Sequence, residues 1–283
     1  MSIDIIKQRL LSYRYETPLE ETQALKEISQ EVILMGLSRQ DFFSVSEFHG
    51  GTALRIFYGL QRFSEDLDFA LIKPDRKFSL TRYLENLSKE LSAFGYEFQI
   101  KDRSKADNAV KKAFLKDDSI GKIFELTQPD ISKKITIKLE IDTNPPRGSK
   151  TEIKYLDFPY PFGVRTKDLS SSFSGKLHAL LCRNYIKGRD WYDFIWYVSR
   201  KTTCNFQLLK NALKQNGPWK DRSIQVNIGW LAKALGVKIE GINWKKAAED
   251  IAPFIKMGER ESLNIWSKDF FHSEVEKMKT YLK

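Results

Sequence analysis

Apolar residues recur at helical intervals over residues 2–43, where Leu19, Ala24, Leu25, Ile28, Val32 and Leu34 fall on successive turns. The spacing predicts two N-terminal helices, and Thr17-Pro18 is a start signal for one of them. From about Ser44 to Arg165 the rhythm shortens. LDFALI (67–72), YEFQI (96–100), KIFELT (122–127), ITIKLEID (135–142) and EIKYLDF (152–158) read as strands. Between the first two, Leu80, Leu84, Leu87 and Leu91 return at helical spacing and the pattern stops at Gly95, which gives a strand-helix-strand order. KDRSKADNAVKKAFLKDDSIG (101–121) is charge-dense and is expected to form a loop with a short helix; TNPPRGSKT (143–151) reads as a turn-rich connector. After Leu169 the helical period persists through KLHALLCRNYI, DWYDFIWYV, FQLLKNALK, GWLAKAL, WKKAAEDIAPFI and SEVEKMKTYL. The expected class is α+β, with a mixed sheet-and-helix domain over 1–168 and a helical bundle over 169–283.

Composition narrows the class. The chain has 283 residues, 41% hydrophobic and 30% charged, with 15 Gly and 9 Pro, which is the make-up of a folded protein with real cores. Cys182 and Cys204 form no CxxC element and three histidines form no ligand cluster, so neither a disulfide framework nor a zinc site is expected. No apolar run has the length of a signal peptide or a membrane helix, and a cytoplasmic location without membrane contact is expected. The formal charge of +10 favours polyanionic partners such as nucleic acid or nucleotide phosphates, although lysine-rich proteins that bind neither are common.

Candidate chemistry starts at HGGTALRIFYGLQRFSEDLDF (49–69). Asp66 and Asp68 flank Leu67 at the start of a predicted strand, so alternation turns both carboxylates to one face. Such a pair repels itself unless a cation sits beside it, and hard Mg²⁺ prefers oxygen ligands. A lone DxD is more often a solvated strand edge. Here it follows Gly50-Gly51-Thr52 and an amphipathic helix whose Ala53, Leu54, Phe57 and Leu60 share a face. Glycines admit a ligand close to the backbone, and a helix N-terminus offers amides to phosphate; Thr52 can cap that helix or reach a phosphate oxygen. Gly-Thr also serves as an ordinary cap. Two-metal phosphoryl transfer needs a further carboxylate. In ITIKLEID, Lys138, Glu140 and Asp142 share one strand face; Glu140 is the preferred third acid and Asp142 stands in reserve.

These segments, with KLHALLCRNYIKGRDWYDF (176–194), resemble the AbiEii/AbiGii toxin family of nucleotidyltransferases, within the DNA polymerase β-like superfamily, over roughly residues 44–200. The resemblance implies a polymerase β-like nucleotidyltransferase domain followed by a helical bundle. Gly51 and Thr52 match the family's glycine with serine or threonine, Asp66 and Asp68 its metal-binding pair, and Arg62, Ser64 and Glu65 the Arg-Phe-Ser-Glu-Asp lead-in. Lys176 matches the lysine of the third motif; Arg189, Asp190 and Asp193 match the Arg-Asp-x-x-Asp of the fourth. Many members carry lysine just before the glycine pair, where this chain has His49. Use of an NTP with Mg²⁺ is implied, as is a toxin role opposed by a separately encoded antitoxin, with RNA such as the tRNA 3′ end as acceptor.

In that reading Asp66, Asp68 and Glu140 hold metal with Asp142 as an alternate. Gly50, Gly51, Thr52, Arg62, Ser64 and Arg189 bind nucleotide, and Lys176 contacts its phosphates while Asp190 or Asp193 positions Lys176 or assists proton transfer. The plainer alternative for the acid pair is helix-start carboxylates ion-paired to Arg183 or Arg189. Trp191, Tyr192, Phe194, Trp196 and Tyr197 are too dense on one helix to be other than mostly core, His178 is expected inside the bundle and His272 at its surface. Two further readings stay open: the same fold acting on a protein or small molecule, and a non-catalytic nucleic-acid-binding module.

Overall fold

The computed structural model describes residues 2–103, 109–117 and 135–282. These divide into two compact units. The first comprises Met1–Gly59, Phe63–Pro145 and Glu152–Thr166; the second comprises Leu60–Arg62, Pro146–Thr151 and Lys167–Lys283.

In the first unit, α1 (Ser2–Leu11) and α2 (Pro18–Ser38) are the two expected N-terminal helices. Thr17 caps α2 by accepting from the Glu20 N–H at 3.2 Å, and Pro18 occupies a position whose N–H has no helical partner anyway. α2 is buried almost all round, from Ala24 through Leu37. Its polar residues therefore need partners. Glu31 takes a bidentate pair from Arg9 at 2.7 and 3.1 Å, and Glu27 accepts from Arg55 at 2.8 Å and from Tyr13 at 3.0 Å. Burial raises the Glu31 carboxyl above its ordinary value even against the attraction of Arg9.

Seven strands follow among the described residues: β1 (Ser46–His49), β2 (Asp66–Leu71), β3 (Phe98–Asp102), β4 (Val110–Asp117), β5 (Ile135–Asp142), β6 (Thr151–Leu156) and β7 (Phe162–Lys167). The sheet order is β3-β4-β5-β2-β1-β7-β6, mixed in sense: β2 runs parallel to β5 and β1 parallel to β7, whereas β1/β2, β3/β4 and β4/β5 are antiparallel. Alternation divides the faces. Leu67, Phe69, Ala113, Leu115, Ile137, Leu139 and Ile141 are buried in the core with α2 and α4 (Thr81–Ser92), while Asp66, Asp68, Lys112, Phe114, Lys116, Lys138 and Glu140 occupy the other, half-buried face.

Three strands differ from expectation. β1 and β7 lay in stretches assigned to no element. β4 replaces the expected loop and short helix, because Ala113 and Leu115 alternate with Lys112, Phe114 and Lys116 at period two. The expected KIFELT strand lies outside the described residues.

Among the described residues the second unit holds six α-helices: α5 (Leu169–Cys182), α6 (Gly188–Ser199), α7 (Phe206–Gln215), α8 (Ile228–Glu240), α9 (Trp244–Ile251) and α10 (Lys268–Tyr281). Five begin at side-chain caps, Asp168, Asn205, Asn227, Asn243 and Ser267, each accepting from a backbone N–H three residues on. The core is aromatic. The Trp244 ring stacks on Phe271 with centroids 3.9 Å apart, and Trp191 meets both edge-on at 5.1 Å. Gly188 is required where α6 crosses α9, since a Cβ there would strike the Ala247 carbonyl. Among the described residues no helix is long and apolar enough to cross a membrane.

Candidate active site

The glycine turn and the acid pair meet through the register of β1 and β2, which places His49 opposite Asp68. The chain then turns at Gly50, with φ +84°, directly into α3 (Gly50–Tyr58). A Cβ at Gly50 would run into the Asp68 carboxylate, so glycine is required there both by conformation and by close approach. The helix has no side-chain cap at His49, which leaves its first turn beside that carboxylate. Thr52 is not the cap: it lies within the first turn, fully buried, and its hydroxyl donates to the Asp66 carbonyl at 2.5 Å. That bond ties the start of α3 to the start of β2.

The segment before Asp66 is held residue by residue. Phe63 is buried beneath the Arg55 guanidinium at 4.4 Å, the Ser64 carbonyl accepts from Gln30 at 3.1 Å, and Glu65 pairs with Lys26 at 2.9 Å. All three partners lie on helices, Gln30 and Lys26 on α2 and Arg55 on α3, so these two helices fix where the acid strand begins.

Across the sheet, one register row runs Lys112, Glu140, Asp68, His49, and the next runs Phe114, Lys138, Asp66. Asp66, Asp68 and Glu140 thus share one face on two adjacent parallel strands. Glu140 accepts ion pairs from Lys138 at 2.8 Å and Lys112 at 3.0 Å. Burial works against its charge, but the two ammonium groups hold its carboxyl below the ordinary value. Burial likewise opposes the charged Lys138, which Glu140, then Asp66 and Asp68, hold above its ordinary value. Asp142 lies a row further on, opposite Ala70, and accepts from the Asn144 N–H at 2.9 Å in the following turn.

The donor set suits a hard divalent cation, since it is three carboxylates on one face. An ammonium, Lys138, already stands among them as a counter-cation. Among the described residues no three His, Cys, Asp or Glu side chains are gathered tightly enough to hold a metal. A cation at Glu140 has to displace lysine.

The motif residues of the second unit form a different assembly. Arg62, carried by the loop after α3, makes a bidentate pair with Asp193 at 2.6 and 2.7 Å. Lys176 bridges Asp193 at 2.7 Å and Asp190 at 2.6 Å, and Arg183 pairs with Asp190 at 2.5 Å. Arg62 is 3% exposed at its side chain, Asp193 0% and Lys176 13%. Burial would raise both carboxyls, yet Lys176 with Arg183 depresses Asp190, and Arg62 with Lys176 depresses Asp193. Arg62 and Lys176 are raised in return, against burial. Lys187 is lowered, chiefly by burial, then by nearby Arg183, Arg189 and Lys176. Arg189 places its guanidinium 4.1 Å over the Phe254 ring. Trp191, Phe194, Trp196 and Tyr197 are core residues, His178 is half-buried beside the Asn216 carbonyl, and His272 pairs with Glu240 at the surface.

Sequence reasoning missed Lys112, because its strand was taken as a loop, and it did not assign Lys138 to Glu140 although it put both on one face. The alternation Lys112, Phe114, Lys116 against Ala113, Leu115 was the available signal.

A family model described as nucleotidyl transferase AbiEii toxin, type IV TA system, matches residues 32–271. No curated protein matches the chain. Among solved structures, JHP933 from Helicobacter pylori is 18% identical, with a TM-score of 0.51 and coverage of 94% of this chain and 97% of that one. A "putative nucleotidyltransferase from H. pylori" is 19% identical, with a TM-score of 0.48 and coverage of 88% and 94%. At these identities the likeness to JHP933 shows a shared fold.

Proposed function

We propose, for a chain that belongs to the AbiEii family of nucleotidyltransferase toxins of type IV toxin–antitoxin systems, that the sheet face bearing Asp66, Asp68 and Glu140 transfers NMP from an NTP to an acceptor hydroxyl, with RNA such as the tRNA 3′ end as the acceptor. The observation that carries this reading is the register that sets Asp68 beside both Glu140 and the Gly50 turn.

Asp66, Asp68 and Glu140 would hold Mg²⁺, which when bound polarises the α-phosphate and lowers the pKa of the attacking hydroxyl. Gly50 and Gly51 admit the β- and γ-phosphates close to the first turn of α3, whose amides and dipole favour anions. Thr52 acts by locking that turn to the acid strand. The acceptor oxygen forms the new bond to the α-phosphorus, the bond to the β-phosphate bridging oxygen breaks, pyrophosphate leaves, and the hydroxyl proton passes to water. Lys138 and Lys112 neutralise Glu140 before the site is loaded, and Glu140 rather than Asp142 is the third acid because Asp142 serves its own turn.

The buried assembly of Arg62, Lys176, Asp190 and Asp193 is read as a positioning network. Its ammonium and guanidinium groups are committed to carboxylates, and it ties Arg62 to Lys176 and to the start of the helix that carries Asp190 and Asp193. Arg189 joins the fold of the same helix start through Phe254. The reaction belongs in the cytoplasm, where NTP and RNA are found, and a separately encoded antitoxin opposes it.

Incubating the protein with each α-labelled NTP, Mg²⁺ and total cellular RNA, then resolving products on a denaturing gel, tests the reading. A discrete labelled RNA band is expected; label that stays with protein or a small molecule after RNase treatment would replace RNA as the acceptor.

A further inference from the structure

The outer wing of the sheet, β3 and β4, carries a charge distribution that the acid face does not need. On the face shared with Asp66 and Asp68, Lys101 pairs in register with Phe114 and Gln99 with Lys116, while the Arg103 N–H donates to the Lys112 carbonyl at 2.9 Å. Lys101 and Arg103 are exposed, and Lys116 and Phe114 half-buried. The Arg103 guanidinium lies 5.5 Å over the Phe114 ring. The acids of these strands are placed elsewhere: Asp102 faces α4, bonded to Thr81 at 2.8 Å, and Asp117 is buried. On the wing's own alternation the carboxylate is Glu97, just ahead of β3. Four cations and one aromatic ring therefore share a strip whose inner edge, Lys112, touches Glu140.

We infer that this strip, Lys101, Arg103, Lys116 and Phe114, binds the single-stranded end of a nucleic-acid acceptor and leads its terminal hydroxyl toward Glu140 and Asp68; the inference rests on the function proposed above. Spread cations with an interleaved ring are what a single strand requires, since phosphates follow the charges and a base stacks on the ring. Lys112 and Lys116 are four residues apart, ~13 Å along β4, a spread wider than the triphosphate of one nucleotide and suited to phosphates further along a polymer. β4 and β2 are separated by one strand, so the strip begins ~10 Å from Asp68. Among the described residues, neither of the two cations to be tested, Lys101 and Lys116, is ion-paired to Asp66, Asp68 or Glu140.

The test is fluorescence anisotropy of a labelled single-stranded RNA of mixed sequence, titrated with the full chain at several salt concentrations. Lys101→Glu combined with Lys116→Glu is expected to weaken binding at least about tenfold and to flatten the salt dependence by about 1.4 in log K against log salt, the share of two single-strand phosphate contacts. Phe114→Ala is expected to weaken it roughly fivefold or more with the salt slope unchanged. Circular dichroism and NTP binding should match the parent. Unchanged affinity and slope in the double variant would overturn the inference, as would equal affinity of the parent for a polyglutamate peptide. Because anisotropy reads binding without turnover, its failure is separable from failure of the catalytic reading, which shows instead as transfer that survives loss of Asp68.

Discussion

Two clusters of acids and cations are held in opposite ways. On the acid face, Glu140 keeps its charge through lysines that are 27% and 44% exposed at their side chains, on long flexible stems. In the second unit, Asp193 and Asp190 are sealed by Arg62, Lys176 and Arg183 inside a bundle. The residue types are nearly the same; solvent access and partner mobility are not. A half-exposed carboxylate with a movable counter-ion can exchange that ion for another cation at small cost. A buried one cannot, since removing either partner strands a charge in a low dielectric. The first arrangement leaves a carboxylate able to take up another cation, and the second does not.

Several changes would break or sharpen that contrast. The largest effect on the fold is expected from Asp193→Ala, which leaves Arg62 and Lys176 short of a buried partner; a loss of ~3–5 kcal/mol in denaturant unfolding is expected, and a loss below ~1 kcal/mol would contradict the sealed reading. Asp68→Asn should do the reverse, leaving the unfolding midpoint close to the parent while transfer falls on the order of a thousandfold. Acid should separate the regions next. Asp190 and Asp193 are depressed from an ordinary value of 3.8, so their contribution is complete above that value and fades as pH falls below it through their folded values. Unfolding followed downward from pH ~5 should show this loss, and Asp193→Asn should flatten it. The smallest effect concerns Lys138→Met. Removing one ammonium from Glu140 should tighten Mn²⁺ binding, read by electron paramagnetic resonance, by up to about fivefold; weaker binding would show that Lys138 supports the metal site rather than competing for it.

The contrast was only partly legible in the sequence. Period-two alternation exposed β2 and β5, and with them the shared face of Asp66, Asp68, Lys138 and Glu140, because side-chain direction in a strand follows from spacing alone. Helix starts were equally plain at Thr17-Pro18. Burial of charge was not plain. Lys176, Asp190 and Asp193 sit at helical spacings that suit a cleft or a core, and what decides between them is Arg62, more than a hundred residues earlier in the chain. Thr52 shows the same limit at short range: it reads as a cap, but its hydroxyl goes to the Asp66 carbonyl on the neighbouring strand. β4 was hidden by its charge, since lysines on an open face resemble a loop when the alternate positions hold only Ala113 and Leu115.

The most direct measurement is the rate of label transfer from an α-labelled NTP to RNA by Asp66→Asn beside the parent, with thermal unfolding of both recorded in the same buffer. Transfer lost at an unchanged unfolding temperature is the expected result, and it would locate the chemistry on the acid face. Transfer at the parent rate with an intact fold would contradict that assignment.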